Sequence, residues 1–308
     1  MKKYLNKALL LKEWKSIWWM MIPIFIFSSR INFMRLSIES MKTYQTGSYL
    51  SRESFYFSIT AIVLIVILII AALLICMDRK TNGYEILSQM PYSKTEIIAA
   101  KWFVGVIVMA IPLIIDFIVV TYLYCSNKEL ITTRSVFCFG YIWQYYIIAI
   151  LSCVSTLTVF MFIQCITNNE FFGGVLGICF IMLPQSIGSF IGRFAAVEDT
   201  VIHYFSERFL LSSALIIILI ASFLFLLLQS FRSIRLEEDI IMISKKLEFI
   251  FKCTVSISVG ITSSSIVLRL LRIYTARSII FFILCLVFIM TAYYVYNLVD
   301  RIIKLSKF

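Results

Sequence analysis

The chain has 308 residues, of which 61% are hydrophobic and only 15% are charged, against about 25% charged in soluble domains. No water-soluble fold hides that much apolar surface, which excludes the soluble classes at the outset. The formal net charge is +11, but the Lys and Arg residues lie between apolar runs, where they meet anionic headgroups and bias topology, so nucleic acid is not an expected partner.

A helix needs about 20 mainly apolar residues to cross a bilayer core roughly 30 Å thick. Runs such as FYFSITAIVLIVILIIAALLICM are continuous, unlike the short alternating segments of a β-barrel. The expectation is an all-α polytopic membrane protein. In chain order, residues 1–15 form an amphipathic cytoplasmic helix in which Lys2, Lys3, Lys7, Lys12 and Lys15 alternate with Leu5, Leu9, Leu10 and Trp14. The N-terminus is read as retained, because no small-residue cleavage site follows it. Spans are predicted at about Ile17 to Ile38, Phe55 to Met77, Trp102 to Tyr124, Val136 to Ile166, Phe171 to Phe190 and Phe209 to Gln229. These make a six-span core over 16–229. A cytoplasmic connecting helix over 230–250 follows, and then a two-span addition with a short basic tail over 251–308, with spans at Phe251 to Leu268 and Ile279 to Leu298. With both termini in the cytoplasm, 17 of the 28 Lys and Arg fall on the inner side, Lys101 among them.

The most informative stretch is the loop over 78–101, DRKTNGYEILSQMPYSKTEIIAAK. Asn82 can cap a short helix with Glu85 as its partner, and Tyr84, Leu87 and Met90 then share one face. Pro91 ends that helix. Ser93 can cap the next, with Glu96 three residues on, and that helix runs through Ile97, Ile98 and Lys101 into the membrane. A helix this short has little stability alone and needs a groove to bury its apolar face. A soluble partner or the headgroup layer and its own spans would supply one.

Gly83, Tyr84, Glu85, Ile86, Leu87, Met90, Pro91, Ser93 and Lys94, with the later Lys101, resemble the loop of type-2 ATP-binding-cassette exporter permeases, in which a Glu, a Leu, a Leu-Pro-x-Ser-Arg element and a later Lys recur. Met90 stands for the Leu and Lys94 for the Arg. The segment RLEEDIIMISKKLEFIFK with its following pair of spans is similar to an eight-span Gram-positive branch that includes bacitracin-type and cell-envelope-stress transporters. The resemblance implies a six-helix core, pairing with an identical or homologous permease, and two cytoplasmic cassette ATPases docked on 83–97. It further implies a coupling helix over Gly83 to Met90 and residence in the cytoplasmic membrane among lipid. ATP and Mg belong to the partner, because this chain has no Gly-x-x-x-x-Gly-Lys-Ser/Thr and is not expected to be an enzyme.

Other constellations are weaker. Asp116 lies deep in the third span after Pro112, where a carboxylate is costly unless protonated, paired or hydrated. It serves either function or the backbone freed by the proline. Gln144, Ser152, Ser155, Thr156 and Gln164 give the fourth span a polar side suited to interhelical bonds or a substrate path. Gly173 with Gly177, and Gly188 with Gly192, have the spacing of close helix packing. His203 is the sole histidine, so no multi-histidine metal site is expected. The acid pair Glu237 and Glu238 lies in a charged stretch, without the histidines an intramembrane protease needs. An ion-coupled secondary transporter using Asp116 is the second reading of the chain.

Overall fold

The computed structural model describes residues 7–36, 61–80, 92–126, 139–167, 173–180, 209–233, 245–270 and 278–305. Among these residues the chain is helical almost throughout and has no strand. The elements are α1 (Lys7–Ile17), a 3₁₀ turn (Trp18–Met20), α2 (Met21–Leu36), α3 (Ala61–Lys80), α4 (Lys94–Ser126) and α5 (Phe139–Ile166). A short helix at 173–180 precedes α6 (Phe209–Ser233), α7 (Lys245–Leu270) and α8 (Ser278–Leu305).

Four of these helices hold apolar stretches long enough to cross a bilayer: Lys94–Leu123, Ile142–Ile166, Phe209–Phe231 and Phe281–Leu298, with a shorter one at Val63–Cys76. Helix is the form such sequences take because lipid offers no partner for the backbone, whose N–H and C=O groups must pair within the segment. The same requirement governs side-chain hydroxyls. Ser213, Ser222, Ser256, Thr262, Ser264 and Thr291 each donate to the carbonyl four residues back, which satisfies them in an apolar medium. On α6, Leu210 is 81% exposed and Phe225 67%. Water would not tolerate that surface; acyl chains solvate it.

The described residues fall into two compact units. One contains α1 to α4, α5 as far as Cys165, and α6; the other contains the 173–180 helix, α7 and α8. In the first, α4 is the central element, packed against α1, α2, α3 and α6. It runs unbroken through Pro112, although a proline gives up one ladder hydrogen bond. Its buried stripe is Ile98, Lys101, Val104, Val108, Met109, Leu113, Asp116 and Val120. Apart from the adjacent Val108 and Met109, the steps of three and four residues mark one helix face, and it includes two ionisable side chains. Contacts to α5 pair Trp102 with Thr158, Gly105 with Leu157 and Asp116 with Tyr146. One number falls as the other rises, so the two helices run antiparallel. Edge-to-face pairs Trp143–Phe209 and Phe162–Phe223 tie α5 to α6.

In the second unit α7 and α8 form an antiparallel pair around Ile261, Phe281 and Cys285, with Leu284 and Ile289 packed against them. Gly260 brings the backbones together, and the Lys252 ammonium lies 5.2 Å from the Tyr296 ring centroid. On α6 the helix continues to Ser233, and α7 begins at Lys245, so residues 230–233 and 245–250 extend those helices. The rest of the connecting segment lies outside the described residues.

The two close-packed glycines differ in what a methyl group would meet. At Gly260 it would clash with Ile289 Cγ1 and fall 2.9 Å from the Ile289 backbone nitrogen; at Gly105 it would meet the Leu157 and Leu74 side-chain tips at 2.8 and 3.0 Å. Side-chain tips can rotate aside, whereas backbone cannot. Gly260→Ala is therefore expected to lower the thermal unfolding midpoint in detergent, with an overpacking cost of about 1–3 kcal/mol. Gly105→Ala is expected near neutral, since alanine regains up to about 1 kcal/mol of helix propensity. Equal or reversed effects would contradict this packing.

Candidate functional site

The site begins where the described residues resume within the loop, at Tyr92 and Ser93. Ser93 N donates to Glu96 Oε2 at 3.0 Å and Glu96 N donates to Ser93 Oγ at 3.3 Å. The backbone N–H groups of Glu96 and Ile97 both reach the Ser93 carbonyl. This is the reciprocal cap expected from the sequence, and it gives α4 a fixed start. Lys94, the first residue of α4, is exposed. Gly83, Tyr84, Glu85, Ile86, Leu87, Met90 and Pro91 lie outside the described residues.

About two turns beyond the cap the structure differs from the sequence reading. Lys101, counted there among the flanking charges, is 1% exposed. Its Nζ donates to Glu13 Oε2 at 3.1 Å and to the Leu74 carbonyl at 2.6 Å. Glu13 belongs to the buried stripe of α1, Leu9, Glu13 and Ile17. Its other oxygen, Oε1, faces Lys12 Nζ at 3.6 Å, too far for a hydrogen bond. A single ammonium thus joins α1, α3 and α4.

The neighbours reinforce this junction. The Leu74 side chain, whose own carbonyl binds Lys101, packs on Gly105 one turn further along α4, and Leu157 of α5 closes on the same glycine. Trp102 Nε1 donates to Thr158 Oγ1 at 2.9 Å, and Thr158 donates on to the Val154 carbonyl. The head of α4 is therefore fixed to α1 by charge, to α3 by a charged hydrogen bond and to α5 by packing and a neutral one.

The intramembrane polar candidates are not brought into one cluster. Asp116 is buried and accepts a 2.7 Å hydrogen bond from the Tyr146 hydroxyl, whose ring packs edge-on against Phe117. Gln164 accepts from Cys76 Sγ at 3.3 Å, which ties α5 to α3. Gln144 has its Oε1 buried without a hydrogen-bond partner. Gly173 and Gly177 are buried on the 173–180 helix, and Gly188 and Gly192 lie outside the described residues. No cluster of metal-ligating side chains occurs among the described residues.

Sequence reasoning missed Glu13, Leu74 and Tyr146. Glu13 was detectable, since it lies one turn from both Leu9 and Ile17 on the apolar side of α1. The Leu74 carbonyl carries no side-chain signal, and Tyr146 was indistinguishable from the other aromatic residues of its span.

Removing one member of a buried pair leaves the other charge without compensation, typically costing about 3–5 kcal/mol, whereas replacing both with apolar groups of similar volume is often near neutral. Lys101→Met is expected to lower the unfolding midpoint markedly, and Glu13→Leu combined with Lys101→Met to recover most of the loss; additive losses would contradict the pair. Tyr146→Phe removes a donor from a buried carboxyl and is expected to cost about 1–3 kcal/mol. Tyr122→Phe, at a position 72% exposed, is expected to change nothing measurable in the same melts.

Comparison with known proteins agrees with this architecture. The family model described as ABC-2 family transporter protein matches residues 10–186, more than half of the 308-residue chain. The match runs from α1 through α5 and takes in Glu13, Leu74, the loop, Lys101 and Asp116. No curated protein and no solved structure matches. With its apolar helices and this match, the chain belongs to the ABC-2 family of transporter proteins and is a multi-pass membrane permease.

Proposed function

We propose that this chain is the membrane-spanning subunit of an exporter driven by separate cassette ATPases, two copies of which dock on the loop over 83–97 from the cytoplasm. Family membership implies a cassette ATPase partner, and the membrane domains of this family are not catalytic, so ATP and Mg are assigned to that partner. The permease pairs with a second copy or a homologue in the cytoplasmic membrane, both termini lying inside. It uses the six-span core of 16–229 with the two-span addition of 251–308, as in the bacitracin and cell-envelope-stress branch. Its substrates are amphipathic or hydrophobic: a peptide antibiotic, a lipid or a drug.

One observation carries the reading. The 33-residue helix α4 starts at a reciprocal cap beside the loop and is fixed within about two turns by Lys101. A displacement of the loop is thus delivered to a stiff element that crosses the membrane, the element that ATP-driven movement requires. Tyr84, Leu87 and Met90 supply the apolar face that a docked ATPase would cover. Ion coupling through Asp116 is less well supported, because Asp116 is buried against Tyr146 and the family match points to ATP.

The test is affinity purification from the native host with crosslinking and identification of the captured proteins, comparing wild type with Leu87→Asp and Met90→Asp. Capture of a cassette ATPase by wild type and its loss in both variants is expected. Capture by all three would overturn the docking assignment. If wild type captures no ATPase, the exporter reading fails, and transport by Asp116→Asn becomes the measurement that decides for ion coupling.

A further inference from the structure

We infer that the Glu13–Lys101 pair is a positioning contact that makes α1 and the head of α4 move as one body when the loop is driven, an inference that rests on the transporter reading above.

The argument starts from chemistry unsuited to simple adhesion. Glu13 and Lys101 are 3% and 1% exposed, and Glu13 lies between Leu9 and Ile17 on the buried side of α1. A Leu or Met at either position would fill such a site without desolvating a charge. What an ion pair supplies and apolar packing lacks is register: its hydrogen-bond geometry holds at 3.1 Å and is lost within a fraction of an ångström beyond about 3.5 Å. Apolar side chains tolerate a slide of one turn into the next set of grooves. A buried pair does not.

The second observation is placement. Lys101 follows the capped start of α4, and its second acceptor, the Leu74 carbonyl, belongs to α3, which ends at Lys80. The loop therefore has both its incoming and its outgoing helix fastened at the same ammonium, and Glu13 adds α1 to them. The outer side of α1 exposes Lys7, Lys12 and Lys15, with Trp18 and Trp19 exposed just beyond it, groups suited to the headgroup layer. Motion imposed on the loop is thereby shared between the α3–α4 limbs and a helix anchored at the membrane surface.

The experiment uses the full chain purified with its cassette ATPase in lipid nanodiscs. Spin labels are attached through unnatural residues at Leu11 of α1 and Phe103 of α4, both exposed. The distance between labels is measured by EPR without nucleotide and after vanadate trapping. In wild type the distance is expected to stay the same in both states. In Glu13→Leu/Lys101→Met, which removes the charges and keeps the volume, trapping is expected to shift it by on the order of 5 Å, one helical turn. The exchange Glu13→Lys/Lys101→Glu is expected to restore the invariant distance. Glu13→Gln/Lys101→Met, in which neither side chain is charged, gives the same shift if the first double variant does not assemble. An invariant distance in the uncharged variants would reduce the pair to a packing contact and overturn the inference, as would a wild-type distance that changes on trapping. In both cases the ATPase is still present and the transporter reading stands. A preparation that contains no ATPase overturns that reading and this inference together.

Discussion

An ammonium buried in an apolar membrane protein is the constraint around which the first unit is arranged. Lys101 cannot remain charged there unless its hydrogens are directed at oxygen atoms, and the structure provides Glu13 Oε2 and the Leu74 carbonyl. Each acceptor brings a helix with it. To present Glu13, α1 must lie with Leu9 and Ile17 inward; to present the Leu74 carbonyl, α3 must hold its height against α4, which in turn sets Leu74 onto Gly105. A point requirement of electrostatics thus becomes a three-helix register, shared by the two helices that flank the loop and by α1.

Along the rest of α4, polar groups are few, and two of them meet a partner on a neighbour: Trp102 at Thr158, and Asp116 at Tyr146. In lipid the gain from burying apolar side chains is small, because acyl chains solvate them as well as protein does; specificity between helices therefore comes from small residues and such polar pairs. The same economy governs the α7–α8 pair, where Gly260 and back-bonded hydroxyls permit close approach and Lys252 over Tyr296 marks one end. The broad apolar faces of α6 and α8 are left to lipid or to further chains.

The helical class was legible because the span signal is long and continuous: the runs at 94–123, 142–166, 209–231 and 281–298 are visible without structure. The Ser93 cap was legible as well, since Ser-x-x-Glu is local chemistry and depends on nothing distant. The junction was not. A lysine at the edge of a span reads as a topology signal, and only the approach of Glu13, 88 positions away, makes it a structural one. Gly105 was passed over for glycines at four-residue spacing, because its role comes from Leu74 and Leu157, which are far apart in sequence. The chemistry of Asp116 was visible and its partner was not, one tyrosine among 16 in the chain.

The central claim is that α1 is held to α4 by a buried charge and does not simply rest at the surface. Hydrogen exchange of the purified permease, followed peptide by peptide by mass spectrometry, tests it most directly. The account predicts slow exchange across Leu9 to Ile17 in wild type, and markedly faster exchange there in Lys101→Met while α5 stays protected. Fast exchange of that segment in wild type, or an unchanged rate in the variant, would contradict it.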